Sequence, residues 1–182
     1  MSGPRFDAGA FATLVRDLCQ LRRGPEDVPY STTLLGVLIA VSTAVDLMTG
    51  VVIGESSNML ACSLVSTGVV LALCWIALAA RRLVNRMVQT SSALIACGIV
   101  FSLLIVPISW LAMPLPVPPA SLTPLQMLLG WVTLAILAWS LVVTAHIMRR
   151  ALDAPFAFGF LLALAWWLAA RSLDHVLFDP AG

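Results

Sequence analysis

One acidic residue stands in the middle of an apolar run, and its chemistry depends on what surrounds it. Asp46 lies near the centre of the apolar stretch 34–54. An ionised carboxylate at the centre of a bilayer costs about 2.5–3.5 kcal/mol on insertion scales, so such residues usually face other helices and have a use. Asp46 could have a functional role, as a proton site, an ion site or a contact with a partner subunit. The alternative is a structural role, as a neutral side chain whose hydrogen bond holds helices together. The hydroxyls that could bind it belong to Ser63, Ser66, Thr67, Ser102, Thr133 and Ser140.

The other residues that could carry chemistry form no recognisable constellation. His146 and His175 are predicted to lie on opposite sides of the membrane, at the ends of two different spans, so they cannot share one haem or metal. No two of the cysteines form a CxxC pair, and buried cysteine commonly behaves as a small hydrophobe; they are Cys19, Cys62, Cys74 and Cys97. The sequence has no nucleophile elbow, HExxH motif or Walker loop. We therefore expect no catalytic, cofactor-binding or metal-binding residues and a protein that is not an enzyme.

Five long apolar runs predict an all-α integral membrane bundle. The chain of 182 residues is 60% hydrophobic and 10% charged, against about 25% charged in typical soluble domains. A hydrocarbon core of about 30 Å needs about 20 apolar residues in a helix, and only helices satisfy their backbones alone in lipid. The predicted domain 34–182 contains spans at 34–54, 59–80, 91–113, 125–147 and 154–173, of which the last is the weakest. The lipid bilayer is thus the first partner, and a net charge of +1 gives no reason to expect nucleic acid.

The segment 1–33 is predicted to hold an amphipathic helix between Phe6 and Arg23, followed by an extended lead-in. Its apolar residues recur at helical spacing and include Phe11, Leu14, Leu18 and Leu21. Such a face beside a membrane anchor is expected to lie in the membrane interface, and cover by a partner is the alternative. The segment lacks the continuous apolar core of a signal peptide, so the first span should be an uncleaved anchor.

The arginines predict the sidedness of the chain. Nine of the ten basic residues precede span one, separate spans two and three, or separate spans four and five. Cytoplasmic loops are enriched in basic residues, so the N-terminus should be cytoplasmic and the C-terminus periplasmic. All basic residues are Arg and none is Lys, which we interpret as the codon bias of a GC-rich bacterium, and we expect a bacterial inner membrane.

Gly50 and Gly54 form a GxxxG motif at the outer end of span one. Small residues at this spacing allow helices to approach closely. The motif could serve packing within one chain or between two copies.

Five spans after a cytoplasmic N-terminal segment resemble the Yip1 family of small membrane proteins. The stretch from Gly24 to Tyr30, with the sequence GPEDVPY directly before span one, is similar to the way bacterial members begin. The resemblance implies a non-enzymatic protein of membrane organisation or assembly, and it implies no functional residue.

Small size and short loops favour a non-enzymatic inner-membrane scaffold, or an accessory subunit that binds other membrane protein subunits. The alternative is a small transporter or channel component that uses Asp46. A transporter should place several polar residues at mid-depth on facing helices, whereas a subunit should co-purify with partners.

Overall fold

The computed structural model describes residues 7–53, 59–112 and 123–178. Its long elements are all helices: α1 (Ala8–Cys19), α2 (Thr32–Ile53), α3 (Met59–Ala80), α4 (Met87–Ala112), α5 (Pro124–Ala151) and α6 (Phe156–Phe178). Short 3-10 helices stand at Pro25–Asp27 and Val84–Arg86. The described residues include no strand, so the predicted all-α membrane-type bundle is confirmed.

Within the described residues, four helices are long and apolar enough to cross a membrane. They are Thr32–Val51, Met59–Ala80, Val84–Ala112 and Pro124–Ala151. At 1.5 Å per residue, the shortest of these spans about 30 Å, which matches the hydrocarbon core. The apolar part of α6, Phe156–Ala170, is shorter. A multi-pass membrane protein is thus supported, and the fifth crossing stays a prediction.

One end of the bundle gathers the termini and turns that carry arginine, and we call it the arginine-rich end. Arg86, before α4, donates to the carbonyl of Ala151 at the end of α5 (3.2 Å) and pairs with Asp153 (3.0 Å). Arg81, after α3, donates to the carbonyl of Leu152 (3.3 Å). The sequence predicted that these loops share one side, and the contacts between them fit that arrangement.

Helix α4 lies at the centre of the arginine-rich half. It packs against α2, α3 and α5, while α6 packs against α5 and α3. Every residue from Thr90 to Cys97 is buried, so this part of α4 is enclosed on all sides. Its neighbours include Leu78 of α3 and Met148 of α5, whose side chains are fully buried. The centre of this half is therefore filled by side chains.

Three helices end at residues with positive φ. Leu21 (φ 62°), Arg82 (φ 58°) and Asp153 (φ 49°) follow α1, α3 and α5. After α1, the Arg22 N–H donates to the carbonyl of Asp17, and equivalent bonds follow the other two helices. This is the Schellman arrangement, which usually has glycine at the left-handed position. It ends α1 at Cys19, earlier than the predicted boundary at Arg23.

The lead-in to α2 is also more ordered than predicted. Residues Pro25–Asp27 form a 3-10 turn where the sequence indicated an extended segment. Pro25 fixes its own φ at the first position of the turn, and the Asp27 carboxylate accepts a hydrogen bond from the Gly24 N–H (3.2 Å). The helix boundaries of the predicted spans shift as well: α4 begins before Ser91, and α5 continues past Ile147 to Ala151.

The chain's own bundle covers the apolar face of α1, which corrects the expected occupant. Leu18 is fully buried and Leu14 is buried, while Phe11 and Leu21 are partly buried against the same core. The helix packs on α4 and α5. The Trp139 indole N–H donates to the Cys19 carbonyl (3.1 Å). At 1.5 Å per residue, Trp139 lies about 16 Å along α5 from Arg150, so this bond is on the side of α5 and not at its arginine-bearing end. The prediction that lipid or a separate partner takes this face is wrong for Leu14 and Leu18.

Candidate functional site

Asp46 forms a direct bond between α2 and α3. The Ser63 hydroxyl donates to the Asp46 carboxylate at 2.7 Å. Ser63 is 5% exposed and Asp46 is partly buried. Asp46 lies seven residues before the end of α2 and Ser63 four residues after the start of α3, so the bond joins two apolar helices near the turn between them. This is the arrangement expected of a hydrogen-bonded carboxyl group that fixes helix packing.

Two other hydroxyls proposed for Asp46 bind their own helix instead. Thr133 donates to the carbonyl of Leu129 (2.9 Å), and Ser140 donates to that of Leu137 (2.7 Å). None of the ion pairs among the described residues includes Asp46. Ser63 is therefore the partner that the fold selects, and it lies on the next helix along the chain.

The glycine motif of span one is only partly described. Gly50 is buried, and a Cβ at this position would overlap the thioether of Met59 on α3. The end of a methionine side chain is flexible and can move, so this approach is close without being rigid. Gly54 lies outside the described residues. The contact at Gly50 is within one chain.

Gly159 is a tighter helix contact, and the sequence reasoning missed it. A Cβ at Gly159 of α6 would stand 2.5 Å from the carbonyl oxygen of Ala145 and 3.1 Å from the backbone nitrogen of Arg149, both in α5. Ala163, one turn later, is also buried. Gly159 and Ala163 have the small-xxx-small spacing that could have indicated this contact.

The lead-in segment closes the arginine-rich end. Gln89 of α4 donates to the carbonyl of Val28 (2.8 Å), and Val28 is 1% exposed. Arg150 pairs with Glu26 (2.8 Å), with both side chains about half exposed. An exposed pair of this kind contributes about 0.2–1 kcal/mol, so Gln89 and the burial of Val28 hold the segment more firmly.

His146 is part of the same closure. Its Nε2 lies 3.1 Å from the carbonyl oxygen of Arg23 and its side chain is buried. The ring therefore donates to the backbone that follows α1. Together with the Trp139 bond to Cys19, it attaches the N-terminal segment along one flank of α5. His146 thus has a structural role, and His175 has no described side chain.

Two of the four cysteines belong to the same packed region. Cys19, the last residue of α1, packs against the core cluster that includes Cys97 of α4. Cys97 is 3% exposed and Cys19 is partly exposed. The Cys97 thiol nearby lowers the pKa of the Cys19 thiol, and burial opposes this effect. Cys74 contacts the Ser91 hydroxyl instead (3.7 Å). The sequence analysis interpreted these residues as small hydrophobes.

A groove runs between α4 and α5 in the half of the bundle away from the arginine-rich end. It has a volume of about 450 Å³, and its lining is mostly apolar, with the hydroxyl groups of Ser109 and Thr133 and the amide of Gln126 as its polar side chains. Gly130 lies on its α5 wall, and α4 continues through Pro107, which has no N–H to donate. Polar groups in this lining are few, so an apolar chain or helix fits it better than a charged solute.

Within residues 7–53, 59–112 and 123–178, no group of three or more His, Cys, Asp or Glu side chains is placed to hold a metal ion. Comparison with models of protein families, with curated proteins and with solved structures found no match. The residues of this chain must therefore carry any argument about function.

Proposed function

We propose that this chain is a non-enzymatic scaffold or accessory subunit of a larger membrane assembly. The observation that supports this most is the broad apolar surface beside the α4–α5 groove, where Trp110 is 68% exposed and Trp131 is 70% exposed. Large aromatic side chains are enriched where proteins bind one another. The filled core and closed arginine-rich end would give this surface a firm support. It is also the kind of role that a Yip1-like relationship implies.

Photo-crosslinking in native membranes tests the proposal. A photoreactive residue at position 131 on α5 is compared with one at Leu161 on α6, which is 64% exposed and thus a matched control for contact with lipid. We expect a protein adduct of defined mass from position 131 and lipid adducts from position 161. Lipid adducts alone at both positions, or adducts only with a second copy of the chain, would contradict an accessory subunit.

A transporter or channel component is the second candidate, favoured by the carboxyl group of Asp46 inside the apolar part of α2. The bond to Ser63 supports a packing role for Asp46 over a transport role. Interhelical hydrogen bonds of this kind in membranes stabilise by about 0.6 kcal/mol on average and at most about 1.7 kcal/mol. An amide can accept the same bond. Asp46→Asn should then keep the fold and leave the protein's effect on the cell unchanged.

Vesicles with an internal pH dye separate the two candidates. If Asp46 carries protons, vesicles containing the chain should equilibrate pH faster than empty vesicles, and Asp46→Asn should abolish the difference. Ser63→Ala is the matched control, because it removes the same hydrogen bond and keeps the carboxyl group. A scaffold should give no difference between any of these vesicles, with helix content by circular dichroism equal throughout.

We further propose that the arginine-rich end is cytoplasmic in a bacterial inner membrane, with the C-terminus on the opposite side. The positive-inside bias supports this orientation. In a cysteine-free background, single cysteines at Ser57 and Ala120 should be labelled from the periplasm, and those at Asn85 and Asp153 should be protected. Reversed accessibility of either pair would overturn the orientation.

A further inference from the structure

The groove between α4 and α5 is narrow, and its width decides what can lie inside it. Its lining extends along α5 from Gln126 to Leu137, which is about 16 Å at 1.5 Å per residue. A volume of about 450 Å³ over this length corresponds to a groove roughly 5 Å across. A helix with its side chains is about 10–12 Å wide, so it cannot enter. A single hydrocarbon chain, whose carbon atoms contact their neighbours at about 3.5–4.0 Å, can lie inside.

The polarity of the lining changes along the groove. Gln126, in the first turn of α5, marks its end farthest from the arginine-rich end, and Ser109 and Thr133 supply hydroxyl groups further in. The α5 wall then ends at Leu134 and Leu137, which are purely apolar. A molecule with a polar end and an apolar tail matches this order of side chains.

The groove also has the depth of one bilayer leaflet. The hydrocarbon core is about 30 Å thick, so each leaflet contributes about 15 Å. The lining begins in the first turn of α5 and ends at Leu137, in the middle of this helix of 28 residues. Leu134 is 52% exposed, so the groove is open along its side toward the surrounding lipid. A lipid of the leaflet away from the arginine-rich end can therefore place a chain in the groove without leaving the bilayer.

We propose that the α4–α5 groove is a lipid site, which holds one acyl chain of a phospholipid from the leaflet away from the arginine-rich end. The chain lies along Leu134 and Leu137, and the ester-linked end of the lipid lies near Gln126. The proposal goes beyond the scaffold role and does not rest on it. Trp131 is not part of the lining, so a bound chain leaves the surface around Trp131 free for a protein partner.

Gly130 offers a way to fill the groove without disturbing the helices. It belongs to the α5 wall, and nothing lies within 4 Å of the place its Cβ would occupy. A leucine at this position takes the space of the acyl chain. Gly98→Leu on α4 is the matched control, because the place of its Cβ is equally empty and Gly98 is exposed outside the lining.

A photoreactive lipid provides the test. The full chain is placed in phosphatidylcholine vesicles that include a phosphatidylcholine with a diazirine in the middle of one acyl chain. It is irradiated either in the vesicles or after transfer to excess detergent, and the adducts are mapped by mass spectrometry. In vesicles we expect adducts in the groove and at Leu103, which is 54% exposed on α4 outside the lining. In detergent the groove adduct should remain and the Leu103 adduct should be lost, because lipid that only surrounds the protein exchanges with detergent.

The variants show whether the retained lipid lies in the groove. Gly130→Leu should lose the adduct that survives detergent and Gly98→Leu should keep it, with equal helix content by circular dichroism. If the groove adduct is lost in detergent together with that at Leu103, or if it persists in Gly130→Leu, the proposal is wrong. A photoreactive residue at position 134 of the otherwise unchanged chain identifies the occupant in native membranes. We expect a lipid adduct there, and an adduct with a partner protein or a second copy of the chain would overturn the proposal.

Discussion

Substitution of Gly159 is the sharpest test of how α5 and α6 pack. An alanine Cβ at this position would stand 2.5 Å from the carbonyl oxygen of Ala145, and the backbone there cannot move without moving α5. Overpacking of this kind typically costs about 1–3 kcal/mol. Alanine also stabilises a helix by about 0.5–1 kcal/mol relative to glycine. The net of these two effects is a decrease of about 0–2.5 kcal/mol in the free energy of unfolding of Gly159→Ala.

Gly68 of α3 is the matched control, because nothing lies within 4 Å of the place its Cβ would occupy. Gly68→Ala should therefore show the helix preference alone and raise the free energy of unfolding by about 0.5–1 kcal/mol. Reversible unfolding of both variants in mixed micelles with increasing SDS, followed by circular dichroism, measures the difference. If Gly159→Ala is stabilised to the same extent as Gly68→Ala, then α5 and α6 do not approach at Gly159 and the packing described above is wrong.

Two further predictions concern the N-terminal segment. Leu18→Ala removes a fully buried side chain, so it should lower the free energy of unfolding by about 2–5 kcal/mol and speed proteolysis of residues 1–30. The control Leu161→Ala, at an exposed position, should change the free energy of unfolding by less than about 0.5 kcal/mol. Equal effects of the two substitutions would contradict the packing of α1. Glu26→Gln removes only an exposed ion pair with Arg150 and should lower the free energy of unfolding by less than about 1 kcal/mol. Gln89→Ala leaves the Val28 carbonyl without its side-chain donor and should lower it by about 1–3 kcal/mol in the same unfolding assay. The reverse order would contradict the account of how the lead-in segment is held.

The sequence by itself determined the helices and the character of the surface. Apolar runs of about 20 residues predict helices because only a helix satisfies its own backbone in lipid, and this depends on no other part of the chain. The isolated Asp46 was recognisable for the same reason, since the cost of a carboxylate at depth belongs to one residue. The start of α5 carries a local cap as well, since the Thr123 hydroxyl accepts from the Gln126 N–H (3.3 Å).

The tertiary structure alone decided which residues meet. Ser63 was one of six possible partners of Asp46, and the expected cover of α1 was lipid or another protein rather than α4 and α5. Lipid is as apolar as a protein core, so a membrane helix that is apolar all round does not reveal which face packs against its neighbours. The packed faces depend on the order and rotation of the helices. Small residues such as Gly159 influence that rotation, because they let two helix backbones come close together.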